Sequence, residues 1–326
     1  MNIRRFMNVN TKITSPINEP SELPLLKKAG ANEFYLGYIP YEWISTRFNF
    51  MPLNGRERMF ADFGLCNKKE LEQFNSNDKD KIYITINGHY YNNDAYIFLK
   101  DYIAQILKIG IKNFIVADFF LIMMLKKWFG PKVNVIVSGD AGVYNSEAVK
   151  EFADLGIKRL IFPRKTNINN MEKIVKETIH LQIEYEAFVL NELCYYSGAF
   201  CNAFHCDELL RICRLPKVLV SEEKVIKKEN FNKRKSNLSS NTDLEQKKIG
   251  NTGCGLCKIW KLSKIGINSL KIVGRGKNTK DILMDIKAVD FCLQMVENYK
   301  TEQEYIHMVK NEFFPEGCPN DCYYVD

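Results

Sequence analysis

Several features that identify common enzyme classes are missing from this 326-residue sequence. Only four histidines occur, and neither the H-E-x-x-H pattern of zinc proteases nor the G-x-S-x-G pattern of serine hydrolases is present. The stretch GRGKNTK lacks the G-x4-G-K-[ST] spacing of a phosphate-binding loop. Classical hydrolase chemistry and P-loop nucleotide binding therefore have little support.

Long apolar stretches are also missing. No run approaches the ~20 residues that a membrane-spanning helix needs, and the opening stretch MNIRRFMNVNTKITSP contains no apolar core of a signal peptide. We therefore expect a cytoplasmic protein without membrane insertion. In that reducing compartment the ten cysteines are expected to be metal ligands, catalytic groups or buried apolar residues rather than disulfides.

The charge balance is mildly basic. Lysine and arginine number 46 against 39 acidic residues, which gives a net charge of +7 without a strong basic stripe. This composition permits an RNA or another anionic partner but is not a strong nucleic-acid signature. Hydrophobic residues make up 46% of the chain, enough for a sizeable core.

A short pattern recurs four times along the chain. In each copy an amphipathic segment ends at a glycine and an apolar run follows; the glycines are Gly30, Gly110, Gly156 and Gly266. A glycine after a helix permits the left-handed conformation that ends it. A nearly continuous apolar run is typical of a strand buried on both faces of a parallel sheet. The pattern indicates repeated β/α connections.

Eight strands and the helices between them follow from this pattern. The predicted strands are 11–15, 33–37, 82–86, 113–117, 133–137, 159–163, 182–189 and 269–273. Helices are predicted over 94–108, 145–155 and 168–181, the second opened by Asn145 as its N-cap. The alternation predicts a TIM-barrel-like (β/α)8 core, with a doubly wound open sheet as the alternative.

Two stretches depart from the alternation. Residues 221–249 are strongly polar and are predicted to be a mobile insertion between strands seven and eight, within the cysteine-rich region. The barrel is expected to cover residues 1–276. Residues 277–326 are expected to form C-terminal helices and a short tail that carries Cys318 and Cys322.

The region between strands seven and eight is rich in cysteine. The stretch LCYYSGAFCNAFHCDELLRIC contains Cys194, Cys201, Cys206 and Cys213. Downstream, Cys254 and Cys257 have the C-x2-C spacing typical of structural zinc. Soft thiolates select zinc, copper(I) or an iron–sulfur cluster, so the residues alone leave the metal open. Cys66 and Cys292 are isolated in the sequence and are expected to be buried and inert.

Polar and charged residues follow the predicted strands. In a β/α barrel the C-terminal strand ends form the catalytic face, so these residues are expected to converge with the cysteines on one mouth. They are Asn87, His89, Asp118, Asp140, Arg164, Glu186, Asn191, Lys271 and Arg275. Taken singly, each is as readily interpreted as a solvated loop residue or an ion-pair partner.

The run EAFVLNELCYYSGAFC resembles the signature of the collagenase-like peptidases of family U32. The matching positions are Glu186, Phe188, Cys194, Ser197, Gly198 and Cys201, while Asn191 stands where the family usually has glycine. Further matching segments contribute Asn145, Arg164, Cys213, Cys257, Lys271 and Arg275. The resemblance extends from about residue 12 to residue 276.

The resemblance implies more than peptidase activity. Better-understood members are iron–sulfur proteins that hydroxylate transfer RNA, ribosomal RNA or the ubiquinone ring without oxygen, and some use prephenate as the oxygen donor. The implied ligands of a 4Fe–4S cluster are Cys194, Cys201, Cys213 and Cys257, with Cys254 as an additional candidate and zinc as the alternative metal.

The cations of the matching segments have expected roles as well. Arg164, Lys271 and Arg275 are expected to bind an anionic group of the substrate or co-substrate. Glu186 is expected to act as a general acid or base, or to orient one of these cations.

Three functions remain open from the sequence. The first is an oxygen-independent hydroxylase or oxidoreductase that acts on RNA or on a small aromatic or quinone-like molecule. The second is a collagenase-like peptidase. The third is a non-catalytic, cluster-bearing partner of a homologous chain, docked through residues 221–249 and 315–326.

Overall fold

The computed structural model describes residues 11–45, 52–55, 68–194, 196, 198–200, 249–318 and 321–325. Eight parallel strands close into a barrel in which each strand pairs with the next and the last pairs with the first. The strands are β1 (Lys12–Pro16), β2 (Glu33–Leu36), β3 (Ile82–Ile86), β4 (Asn113–Val116), β5 (Asn134–Val137), β6 (Arg159–Ile161), β7 (Glu184–Leu190) and β8 (Ser269–Ile272). The predicted TIM-barrel-like core is confirmed, and the open-sheet alternative is wrong.

Helices alternate with the strands along the chain. They are α1 (Leu23–Lys28), α2 (Tyr41–Ser45), α3 (Lys68–Gln73), α4 (Asn93–Ile109), α5 (Phe119–Phe129), α6 (Ser146–Asp154), α7 (Ile168–Thr178), α8 (Ile259–Lys264), α9 (Thr279–Gln294) and α10 (Glu302–Phe313). The predicted helical segments correspond to α4, α6 and α7. No helix in these described ranges is long and apolar enough to cross a membrane.

Local sequence explains where the helices begin and end. Most of the longer ones begin at a side chain that accepts a backbone N–H bond from the residue three positions on; these caps are Asn92, Asp118, Asn145, Asn167, Asn278 and Thr301. The four predicted glycines, Gly30, Gly110, Gly156 and Gly266, have φ values of 114°, 101°, 73° and 94°. Each therefore has the left-handed conformation that ends a helix.

The interior of the barrel is charged. Arg159 of β6 reaches across to Glu33 of β2, with Nη2 2.9 Å from Oε1. Its Nη1 also donates to Glu186 of β7 at 2.9 Å, and Glu186 is 2.8 Å from Nζ of Lys271 in β8. Buried charges persist when they are paired and hydrogen-bonded, as these are.

The C-terminal tail returns to the barrel after α10. Cys254 forms isolated β-bridges with Leu190 on one side and with Cys322 on the other, so the tail lies beside the end of β7. Tyr323 and Tyr324 are buried there. The predicted insertion at 221–249 falls almost wholly outside the described residues.

Candidate functional site

Three polar residues meet where the strands end. Arg164, after β6, has Nη1 3.5 Å from Oδ1 of Asp140, after β5. Asn87, after β3, donates a hydrogen bond of 2.8 Å to Oδ2 of the same carboxylate. The guanidinium of Arg164 also lies over the ring of Phe188, 4.1 Å from its centroid. The structure thus brings these three polar residues of the predicted mouth together, and the ring of Phe188 packs against the guanidinium.

Arg164 is largely buried, yet its Nε–H has no hydrogen-bond partner among the described residues. Burial acts to lower the pKa of Arg164, but its neighbours Tyr323, Asp140, Glu192 and Cys194 raise it above its ordinary value. Arg164 therefore stays positively charged, and its Nε–H is available to donate a hydrogen bond. Such a guanidinium is suited to a carboxylate or phosphate oxygen.

The cysteine loop begins beside this guanidinium. Sγ of Cys194 accepts a hydrogen bond of 3.2 Å from the backbone N–H of Gly198. A Cβ at Gly198 would come within 2.8 Å of the backbone nitrogen of Lys165, and its φ is 69°, so this position requires glycine. Gly198 thus allows a backbone N–H to reach the sulfur of Cys194.

The other expected metal ligands are placed less completely. Cys201, Cys206 and Cys213 lie outside the described residues. Cys257 lies in a 3-10 turn, Leu256–Lys258, that leads into α8. Its environment includes two cysteines of the tail, Cys318 and Cys322.

Glu186 and Lys271 lie inside the barrel rather than at the strand ends. Each is the third residue of its strand, and their side chains are only 1% and 7% exposed. The ammonium of Lys271 also lies 3.9 Å from the ring centroid of Tyr35. Burial lowers the pKa of Lys271, although the Glu186 carboxylate opposes that effect. Because the two side chains are paired with each other inside the barrel, neither is free to bind a ligand at the mouth.

Arg275, after β8, is held by two polar groups. Its Nη1 donates to Oγ1 of Thr85 at 2.7 Å and to Oδ1 of Asn54 at 3.2 Å. The residue is 6% exposed. These bonds fix the guanidinium near the end of β3, so it is a second oriented cation close to the strand ends.

Asp118 and Asn191 have structural contacts. Asp118 caps α5 by accepting the N–H of Leu121 at 2.6 Å, and it also accepts the hydroxyl of Tyr96 at 2.9 Å. The side chain of Asn191 donates to the carbonyl of Val273 at 3.0 Å. These contacts explain both residues without a role in chemistry.

A β-bulge shapes the wall of the mouth. The pairing of β7 with β8 shifts register between Phe188 and Leu190, and bulges commonly re-aim side chains next to functional sites. Backbone carbonyls at the bulge accept hydrogen bonds from outside the sheet. The Tyr324 hydroxyl donates to the carbonyl of Phe188 at 2.7 Å, and the N–H of Gly255 donates to the carbonyl of Val189 at 2.7 Å.

Sequence reasoning missed Tyr323 as a member of this mouth. Its ring lies parallel to that of Phe188, with 6.3 Å between centroids, and its hydroxyl donates to the backbone carbonyl of Asn191. It also lies close to the side chain of Arg164. The one available signal was the pair of tyrosines directly after Cys322.

Comparisons with known proteins agree with the resemblance seen in the sequence. The profile of peptidase family U32 matches residues 19–318. The tRNA hydroxylation protein P of Helicobacter pylori (strain J99) is 27% identical over 188 residues, which are 57% of this chain and 41% of that protein. The tRNA hydroxylation protein P1 of Bacillus subtilis (strain 168) is 25% identical over 201 residues, 61% of this chain and 43% of that protein.

The chain spans less than half the length of these curated relatives. The tRNA hydroxylation protein P of Escherichia coli (strain K12) is 29% identical over 119 residues, 36% of this chain and 25% of that protein. Among solved structures, the U32 peptidase Mk0906 is 12% identical, with a TM-score of 0.46 over 83% of this chain and 95% of that one.

Proposed function

Since the chain belongs to peptidase family U32, we propose that it is an iron–sulfur protein that hydroxylates transfer RNA without molecular oxygen. The curated relatives named as tRNA hydroxylation proteins support the reaction class and the RNA substrate. The observation that carries the proposal is that Gly198, which donates its N–H to Sγ of Cys194, packs against the backbone of Arg164, whose Nε–H has no partner among the described residues.

The donor groups around Cys194 suit an iron–sulfur cluster. The N–H of Gly198 points at its sulfur, and hydrogen bonds to sulfur are one of the ways in which proteins tune such clusters. Cys194, Cys201 and Cys213 are the proposed ligands from the loop after β7, and Cys257 is the fourth that the resemblance implies. When bound, such a cluster supplies one-electron transfer, whereas zinc at the same thiolates is redox-inactive.

Arg164 is the proposed anion-binding residue of the mouth. Its face rests on Phe188, which holds the plane of the guanidinium while its edge remains able to donate. A carboxylate of a prephenate-like oxygen donor, or a phosphate of the RNA, fits that edge. Arg275, anchored by Thr85 and Asn54, is proposed as the second cation.

Lys271 and Glu186 are proposed to act as a linked pair. Glu186 holds Nζ of Lys271 at 2.8 Å and thereby opposes the effect of burial on its pKa. This contact favours the orienting role for Glu186 over that of a free acid or base. Lys271 is thereby held in a fixed position beneath the mouth.

A small aromatic or quinone-like substrate is the second candidate. The parallel rings of Phe188 and Tyr323 beside Arg164 are the observation that favours it. Flat aromatic molecules stack on such rings, and their anionic or carbonyl groups would meet the guanidinium.

Expression in a host that lacks its own tRNA hydroxylase tests the proposal. Nucleosides from total tRNA are compared by mass spectrometry, and iron and sulfide are measured on the anaerobically purified protein. We expect a nucleoside heavier by one oxygen atom with the wild type, and loss of both iron and product with Cys194→Ser. Iron-loaded protein that leaves the tRNA unchanged would favour the small-molecule substrate.

A further inference from the structure

Phe200 carries an exposed aromatic ring in the loop after β7. The two residues before it, Gly198 and Ala199, are buried, whereas Phe200 is 62% exposed. Phenylalanine is among the residues that are most often buried in folded proteins. Single exposed apolar side chains are nevertheless common on protein surfaces, so exposure alone assigns no role to this ring.

The backbone of Phe200 is strained. Its φ is 50°, in the left-handed region where a bulky residue is an outlier. Because the ring is mostly exposed, its burial contributes little stability to offset that strain. Strained residues that the surrounding structure holds in place concentrate at binding and catalytic sites. Strain and exposure together therefore indicate a functional role for the ring.

Contacts on both sides fix the position of the ring. A Cβ at Gly142, in the loop after β5, would lie 2.1 Å from Cε2 of Phe200, so the ring occupies the space of the missing side chain. The N–H of Phe200 donates to the carbonyl of Asp140 at 3.4 Å. Two residues earlier, a Cβ at Gly198 would lie 3.1 Å from the backbone nitrogen of Arg164. The loop after β7 is thus held between the loops after β5 and β6.

Asp140 connects this ring to the cation of the mouth. Its backbone carbonyl accepts the N–H of Phe200, and its carboxylate lies 3.5 Å from Nη1 of Arg164. The Nε–H of Arg164 has no partner among the described residues. An exposed ring and an available cationic donor therefore lie on either side of one residue. This combination suits a nucleotide, which has a flat base that stacks and a phosphate that accepts hydrogen bonds.

We propose that an unpaired base of the RNA substrate stacks on the ring of Phe200 as it enters the mouth, a role that rests on the proposed tRNA hydroxylation. Aromatic side chains bind RNA in this way in single-stranded loops, whose bases can be splayed out. The phosphate of the same nucleotide then meets Arg164. Bases within a duplex are covered by their neighbours, so Phe200 selects the unpaired part of the tRNA.

Binding measurements at fixed salt concentration test the stacking. The probes are bulk tRNA from a host that lacks its own tRNA hydroxylase and a fully paired RNA duplex of similar length. We expect Kd for the tRNA to rise by about 10- to 100-fold in Phe200→Ala and in Phe200→Leu, which keeps an apolar side chain but not a flat ring. Phe200→Tyr should stay within about threefold of wild type, and Kd for the duplex should change in none of them.

Phe200→Gly separates binding from a structural role. Glycine adopts a positive φ without strain, so we expect the midpoint of urea denaturation to stay the same or to rise. Kd for the tRNA should nevertheless rise as it does in Phe200→Ala. A ring that served only to stabilise the loop would give the reverse result, with lower stability and unchanged binding.

Gly142 provides a second test of the position of the ring. The new Cβ of Gly142→Ala would displace the ring, so we expect weaker tRNA binding in the otherwise wild-type chain. The same substitution added to Phe200→Ala should weaken binding no further, because the ring that it displaces is gone. Additive effects of the two substitutions on Kd would contradict the proposed role.

Phe119→Ala is the matched control. Phe119 is also an exposed phenylalanine, at 52%, but its ring packs against Phe152 of α6. Its Kd for the tRNA should stay within about twofold of wild type. Iron is measured in every variant, since Phe200 directly precedes the proposed cluster ligand Cys201.

Three results would overturn the role of Phe200: wild-type affinity in Phe200→Ala or in Phe200→Leu, an equal loss in Phe119→Ala, or weaker binding only where iron is lost as well. The proposed function is tested separately, by the hydroxylated nucleoside. Wild-type protein that binds tRNA through Phe200 but yields no such nucleoside would remove the hydroxylase and leave the stacking. Equal hydroxylation by wild type and Phe200→Ala would remove the stacking alone. Wild-type protein that binds no tRNA would remove both and favour a small aromatic substrate.

Discussion

Asn191 occupies a backbone position that most residues would find strained. Its φ is 69°, in the left-handed region that glycine and, after it, asparagine adopt most readily. Its side chain then donates to the carbonyl of Val273 and to Asp285, at 3.0 and 2.8 Å. Asparagine therefore adopts this turn where the family resemblance leads us to expect glycine, and its side chain gains two hydrogen bonds.

Arg164 is the residue on which binding at the mouth is expected to depend most. Arg164→Lys keeps the charge but removes the planar fork that rests on Phe188 and carries the unpartnered Nε–H. We expect KM for the anionic co-substrate to rise by about 10- to 100-fold, as befits the loss of a charge-assisted hydrogen bond. Steady-state kinetics of tRNA hydroxylation measure the change.

The neighbouring exposed lysine gives the control for this variant. Lys165→Ala removes a positive charge one residue away while leaving the fork intact, and its KM is expected to stay within about twofold of wild type. Equal effects of the two variants would mean that general electrostatic attraction, not the geometry of Arg164, governs binding.

At the scale of elements, the strands and helix ends were predictable because their signals are local. A glycine after an amphipathic segment and an apolar run marks one β/α unit, so Gly30, Gly110, Gly156 and Gly266 located half of the barrel. The exact depth of a side chain is not local. Glu186 and Lys271 were expected near strand ends, but the register places them in the middle of β7 and β8.

The docking of the tail could not be read from the sequence at all. It depends on single bridges between Cys254, Leu190 and Cys322, which leave no periodic pattern. The described residues of the tail lie against the protein's own barrel, and docking of a partner chain there stays a prediction.

Tyr324 tests how strongly the tail stabilises the barrel. Tyr324→Phe removes the hydroxyl that donates to the buried carbonyl of Phe188 and leaves that carbonyl without this partner. We expect the free energy of unfolding to fall by about 1–3 kcal/mol, measured by chemical denaturation. Tyr90→Phe, at a tyrosine that is 53% exposed, should change it by less than about 0.5 kcal/mol. Indistinguishable variants would contradict a stabilising role for the tail contact.

At the scale of the whole molecule, one charged network connects the walls of the barrel. Arg159 donates hydrogen bonds to Glu33 on the opposite wall and to Glu184 and Glu186 on the adjacent strand. Glu186 in turn accepts a hydrogen bond from Lys271. Removing one partner of such a buried network leaves uncompensated charge, which is costly. The network therefore links the stability of the barrel to the position of Lys271 beneath the mouth.

Glu33 makes that stability depend on pH. Burial would raise the pKa of Glu33, but hydrogen bonds and charge from Arg159, with Lys12, lower it from 4.5 to about 2. A carboxylate with a lowered pKa stabilises the folded state above its unfolded-state pKa, and the stabilisation is lost as the pH falls through the folded-state value. Glu33 should therefore contribute about 3 kcal/mol above pH 4.5 that disappears between pH 4.5 and pH 2.

Chemical denaturation at constant ionic strength, repeated across this acid range, measures that contribution. The free energy of unfolding of the wild type should fall steeply from pH 4.5 toward pH 2. Glu33→Gln should start lower at neutral pH and fall less, because the titrating group is gone while Arg159 keeps Glu186. Glu147→Gln, at a carboxylate that is 78% exposed, should follow the wild-type curve. If the free energy of unfolding falls with pH equally in the wild type and in Glu33→Gln, then Glu33 is not the source of the acid sensitivity.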